Sequence, residues 1–169
     1  MNPSIRQLTR NAIVASMYVV LTLTPPLNAI SFLAIQFRIS EALLVLVWFR
    51  KEYAIGILIG TFFANVFGPL SGGFAFIDAI LGTLVTFLAL TWMQRMKAKS
   101  IGLLGPIVLN GIYLGLFLPF ALGIPFTFIE IGGIALTVAL GEAAVVFGLG
   151  LPLYWIISRQ ANLKNLMVK

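Results

Sequence analysis

The sequence predicts an all-α fold: an integral membrane bundle of six transmembrane helices, N- and C-termini cytoplasmic, forming a single domain over residues 1–169. Three observations predict it. Apolar residues make up 60% of the chain and charged residues only 9%, where a soluble domain carries about a quarter charged. A mean hydropathy of +1.07 says the same. The apolar runs are long and lack the period-two alternation of a membrane barrel, and only helices and closed barrels satisfy their backbone in lipid. Basic residues fall in short clusters between these runs, as they do at the cytoplasmic ends of spans.

The first helix continues from Arg6 and Arg10 through apolar sequence to Thr24, where Pro25-Pro26 stops it. A signal peptide does not fit, since five further spans follow and Pro25-Pro26-Leu27 is no small-residue cleavage site. Within this helix Ala12 and Ser16, with Ala15 beside them, form a small face that lets another helix approach closely, inside the bundle or from a partner. Leu27 to Phe37 reads as an apolar loop, followed by a short second helix to Phe49. A third span runs from Glu52 to Phe67 and ends at Gly68-Pro69; Gly72-Gly73 marks a turn before a fourth from Phe76 to Met93. The fifth covers Ile101 to Leu122, with Pro106 and Pro119 expected to kink or fray its ends. After the Gly123-Ile124-Pro125 turn, a long sixth span runs from Ile131 to Ile157. No internal repeat stands out, so the inverted-repeat architecture of many secondary transporters finds no support.

With the N-terminus inside, ten of the eleven basic residues, from Arg6 and Arg10 to Lys164 and Lys169, lie on the cytoplasmic side. Arg38 is the exception. It is either an arginine snorkelling at the outer boundary or, with Glu41 one turn on, a site residue; the pairing favours a site. At about 1.5 Å per residue, Glu41, Asn65, Asp78, Asn110 and Glu142 all lie roughly 12–21 Å above the inner ends of their helices. Five helices therefore each offer one polar group at similar depth, which points to one cavity in the middle or outer half of the bundle, with the stretch carrying Gln36, Arg38, Ser40 and Glu41 as one of its walls.

Such a cavity recognises; it does not catalyse. There is no cysteine or histidine, so thiolate chemistry and the usual zinc ligands are excluded and no metal site is expected. Three carboxylates against one arginine leave an excess of acceptors, suited to a ligand rich in N–H donors or positively charged. Asn65 and Asn110 suit the edge of a heterocycle, and Tyr113, one turn from Asn110, either stacks on a planar ligand or packs against neighbouring helices. Glu52 reads as a solvated charge at a helix start, and Glu130 as an exposed helix N-terminal carboxylate within reach of the cavity mouth.

The runs AIQFRISEALLVL, GTLVT after Asp78, there read as a turn, and GEAAVVFGLGLP around Glu142 resemble the QueT family, and the resemblance spans nearly the whole chain. That family comprises substrate-binding S components of energy-coupling factor (ECF) transporters, taken to import a queuosine precursor. The resemblance implies a six-helix S component in the plasma membrane, its site open to the outside under a gating loop that Leu27 to Phe37 matches. It also implies a partner module of a transmembrane T subunit and two ABC ATPases. Docking on that module corresponds to the small face of Ala12, Ala15 and Ser16, with serine where the family usually has a second alanine. The implied ligand is 7-aminomethyl-7-deazaguanine or a close relative. Glu41 or Glu142 would then take its N–H edge, Asp78 the amine or the opposite end, and an asparagine the carbonyl. Arg38 would orient Glu41 or bind that carbonyl.

No GxxxxGK[ST] motif occurs, so this chain is expected to bind no cofactor, ATP being used by the partner ATPases. The basic clusters form no single stripe and predict no nucleic-acid partner. The rival reading is a stand-alone ion- or proton-coupled carrier with Asp78 and Glu142 as a relay. An enzyme would have to rely on carboxylates alone.

Overall fold

The fold is that of a computed structural model, which describes residues 3–31, 36–70 and 72–161. Every regular element among them is helical. Lys164, Lys169 and the middle of the expected gating loop lie outside the described residues.

Helix α1 spans Pro3–Leu23, and a short helix α2, Leu27–Ser31, occupies the start of the stretch read from sequence as loop. Next comes a 3₁₀ helix, Ile39–Trp48, where an ordinary short α-helix is the simpler expectation. Its tighter winding rises about 2.0 Å per residue, so ten residues reach about 20 Å instead of about 15 Å. Glu41 accordingly lies about 16 Å above Phe49, deeper into the outer half than an α-helical count gives. Ser40 to Val47 are buried without interruption, so this helix has no lipid face and runs through the middle of the bundle.

Helix α3 is Tyr53–Val66 and α4 is Gly73–Arg95, which starts after Gly72 at a positive φ of 59° that a glycine adopts without strain. The GTLVT run is not a turn: it lies mid-helix in α4, where its glycine makes room for a neighbour. Helix α5, Lys99–Leu122, carries Pro106 and Pro119 within an unbroken helix and ends at Gly123 in the left-handed conformation, with the Ile124 N–H returning to the Pro119 carbonyl. Helix α6, Phe128–Val145, is capped by Thr127, whose hydroxyl accepts from the Glu130 N–H. It continues through a π-helical turn at Val146–Gly150 into α7, Leu151–Arg159. Pro152 has no N–H for the Gly148 carbonyl, and the widened turn absorbs that loss.

Three of these helices, α4, α5 and the 32-residue rod from Phe128 to Arg159, are long and apolar enough to cross a membrane; Ile39–Trp48 and Tyr53–Val66 are shorter apolar helices. Large side chains such as Phe128, Ile129 and Phe120 stand exposed around the outside, the pattern of a multi-pass membrane protein whose outer solvent is lipid.

Without a hydrophobic drive between helices in lipid, close backbone approach decides packing. A Cβ on Gly56 would meet the Asn11 carbonyl at 2.6 Å, and one on Gly60 would meet the Tyr18 Cβ at 2.6 Å, so this GxxxG pair seats α1 on α3. Gly111 and Gly115 likewise seat α5 on α6 at Ala135. The main core gathers around Leu44, Ile57, Leu90, Met93 and Leu103. A second, smaller cluster of Leu114, Phe117 and Val138 lies between α5 and α6, and its Leu114 and Val138 line the site.

Candidate functional site

Arg38 precedes the 3₁₀ helix in an extended conformation, and the turn that follows brings Glu41 back to it: Nη1 and Oε1 are 4.0 Å apart. The carboxylate is almost wholly buried, at 1% exposure. Burying a charge this deeply is tolerated only with partners. From α1, the Tyr18 hydroxyl donates to the same Oε1, and one turn on the Thr22 and Ser40 hydroxyls pair at 2.7 Å. Tyr18 and Thr22 share a face of α1 and bind neighbouring residues of the 3₁₀ helix.

On the opposite side, α4 supplies Asp78, whose Oδ1 accepts from the Tyr113 hydroxyl of α5 at 2.7 Å. The Asn65 amide of α3 donates to the Asp78 main-chain carbonyl at 3.3 Å. Gly82 makes this cluster possible: a Cβ there would lie 2.6 Å from the Asn65 amide nitrogen and 3.6 Å from the Tyr113 ring. The Tyr113 ring stacks on Phe117 with centroids 5.4 Å apart, so at least one of its faces packs against the protein. Glu142 of α6 is buried, within hydrogen-bonding reach of Asn110 and in electrostatic contact with Glu41 and Arg38. Arg38 pairs with Glu41, and its charge also acts on Asp78 and Glu142.

Three of these polar groups retain an open acceptor. Among the described residues, Glu41 Oε2, Asn65 Oδ1 and Glu142 Oε1 are buried with no hydrogen-bond partner. A native fold leaves few such atoms unpaired, and all three are enclosed here.

A cavity of about 600 Å³ opens beside this cluster. Gln36, Arg38 and Asp78 line it, Leu114, Leu118 and Ile134 form an apolar wall, and Thr137 adds a hydroxyl. The residues singled out from sequence therefore divide into two layers. Gln36, Arg38 and Asp78 face the open space, while Glu41, Asn65, Asn110, Tyr113 and Glu142 are not on its wall and stand behind it. Glu130, read from sequence as a helix-end carboxylate, is on the cavity's rim as well as in the first turn of α6. Sequence reasoning missed Tyr18, Thr137, Gly82 and Gly141. The two glycines carry no local signal that separates spacing from flexibility.

At the far end, Glu52 precedes α3, half exposed, with Arg50 Nε 3.4 Å from its carboxylate. Its bond to its own backbone N–H, then Arg50 and Lys51, hold it below the usual carboxylate range. On α1, Ala12 and Ser16 are exposed, and the Ser16 hydroxyl donates to the Ala12 carbonyl at 2.9 Å. Ala15 does not share their outward face: it turns inward and is buried, its carbonyl 3.0 Å from where a Gly60 Cβ would stand.

Compared with known proteins, residues 8–159 match the model of a family described as QueT transporter. A curated protein of Lactococcus lactis subsp. cremoris (strain MG1363), named queuosine precursor transporter QueT, is 44% identical over 80 residues, which cover 47% of this chain and 44% of that protein. The matched stretch thus spans less than half the length of this relative. No solved structure matches.

Proposed function

The chain belongs to the QueT transporter family, a family of transporters and not of enzymes, and from that premise we propose that it binds and translocates a queuosine precursor, a 7-deazaguanine such as 7-aminomethyl-7-deazaguanine. The observation that carries this reading is the set of unpaired acceptors on Glu41, Asn65 and Glu142, one layer behind the cavity wall that Arg38 and Asp78 line. The N–H edge of a guanine-like ring offers adjacent donors that suit a carboxylate, and a cationic amine suits Asp78 with the acidic rim at Glu130. Arg38 pairs with Glu41 and lines the cavity, where its guanidinium offers donors to the ring carbonyl. The apolar wall at Leu114, Leu118 and Ile134 covers the faces of a planar ligand.

In this reading six segments cross the membrane: α1, the 3₁₀ helix, α3, α4, α5 and the Phe128–Arg159 rod. Both termini are cytoplasmic. The supporting pattern is that Arg50, Arg95 and Lys99 sit at helix ends away from the cavity, while Ile124 and Glu130 line it at the other end of the bundle. The cavity then faces outward. The chain acts as the single-domain S component of an ECF importer, docking by Ala12 and Ser16 on a T subunit whose two ABC ATPases use the ATP. Import follows from reorientation of the liganded chain in the membrane.

Calorimetry of the purified chain with 7-aminomethyl-7-deazaguanine, with mass spectrometry of small molecules that co-purify, tests the proposal. Saturable binding that guanine does not match is expected. No binding of any 7-deazaguanine would overturn the ligand, and ATP hydrolysis by the chain alone would overturn the division of labour. Uptake into vesicles under an ion gradient, without ATPases, would favour a stand-alone carrier.

A further inference from the structure

Glu41 has two oxygens in different circumstances. Oε1 receives the Tyr18 hydroxyl and faces Arg38; Oε2 is buried and open. A carboxylate that turns freely exchanges its oxygens and presents no fixed acceptor direction. Tyr18 prevents this. Its ring is wholly buried, wedged where Gly60 of α3 leaves no side chain, and Thr61 lies within reach of its hydroxyl. The donor is therefore held by packing of its own, the arrangement that makes a recognition group rigid before its ligand arrives.

We propose that Tyr18 is a positioning residue of the ligand site: by occupying Oε1 it fixes Glu41 in the orientation that offers Oε2 to the ligand. This rests on the reading above, and on the ligand drawing Glu41 Oε2, enclosed one layer behind the cavity wall, into contact as it binds. The neighbouring Thr22–Ser40 bond joins the same two helices without touching Glu41, and so supplies an internal control. Tyr18 touches no ligand itself; it acts through the carboxylate.

The test uses the full chain in detergent. Tyr18→Phe keeps the ring and removes only the hydroxyl, and should weaken binding of 7-aminomethyl-7-deazaguanine about tenfold, the cost of ordering the freed Glu41 side chain in each binding event. Thr22→Val should change that affinity by less than about twofold. An equal loss in both variants would mean general loosening of α1 and would overturn the proposal. A second readout needs no ligand: the infrared carboxyl band of Glu41, identified by its disappearance in Glu41→Gln, should shift in Tyr18→Phe and stay in place in Thr22→Val. An unmoved band in Tyr18→Phe overturns the proposal. If the band shifts but the unmodified chain binds no 7-deazaguanine, the assignment of the ligand fails while the positioning of Glu41 stands.

Discussion

A Cβ on Gly141 would lie 2.2 Å from the carbonyl oxygen of Gln36, so the backbone that leads into Arg38 rests directly on α6, one residue before Glu142. Arg38 and Glu142 keep their relative positions because the main chains that carry them touch, with nothing between.

Gly141→Ala should therefore damage the site as well as the fold. Backbone cannot swing aside as a side-chain end does, and overpacking of this kind costs about 1–3 kcal/mol. The expected outcome is a lowered unfolding temperature together with ligand affinity reduced at least about tenfold by calorimetry. Gly148→Ala on the same rod, where an added Cβ meets nothing within 4 Å, should leave both unchanged.

Glu41→Gln is nearly isosteric, and its amide can still accept from Tyr18 through oxygen. That choice turns the NH₂ group toward the ligand, setting donor against donor. Affinity for 7-aminomethyl-7-deazaguanine should fall by roughly a hundredfold or more, from one lost charged bond and one unsatisfied donor, while the thermal unfolding midpoint holds. Undiminished affinity in calorimetry would remove Glu41 from the site.

Tyr113→Phe deletes the donor to Asp78 Oδ1 and keeps the stack on Phe117. The effect should be about three- to tenfold in affinity, smaller than at Glu41 because Asp78 also lines the cavity and is open to its contents. A loss as large as that of Glu41→Gln would instead point to direct ligand contact by Tyr113.

Much of this arrangement is legible in the sequence, for a physical reason. Charges are so costly in lipid that each buried one stands out: Arg38 and Glu41 form a buried ion pair, and Arg38 and Asp78 line the cavity. What stays hidden is whatever has no such cost. Tyr18 reads as one more aromatic ring, because its hydroxyl is a small part of a large apolar side chain. The 3₁₀ winding of Ile39–Trp48 leaves no mark on a run that is buried on every side, since such a helix shows no periodicity. Gly82 reads as a chain breaker, yet in α4 it is the space that the Asn65 amide fills. Small residues show that helices approach closely without saying which ones: Gly56 and Gly60 of α3 face α1, and Ala15 of α1 faces Gly60.

That last ambiguity separates two neighbouring positions on α1. Ser16 is exposed and bonded only to its own helix at Ala12, so Ser16→Leu meets no core and should leave ligand affinity and unfolding temperature unchanged. If Ala12 and Ser16 are where a T subunit packs, the same change should abolish co-purification with it, because a leucine forces the two helices apart. Ala15→Leu points the other way, into α3 at Gly60, and should lower stability by about 1–3 kcal/mol by overpacking. Co-purification of the Ser16→Leu chain with the T subunit at normal yield would remove the docking assignment. Loss of ligand binding in the same variant would mean that α1 reaches the site by a route other than Tyr18.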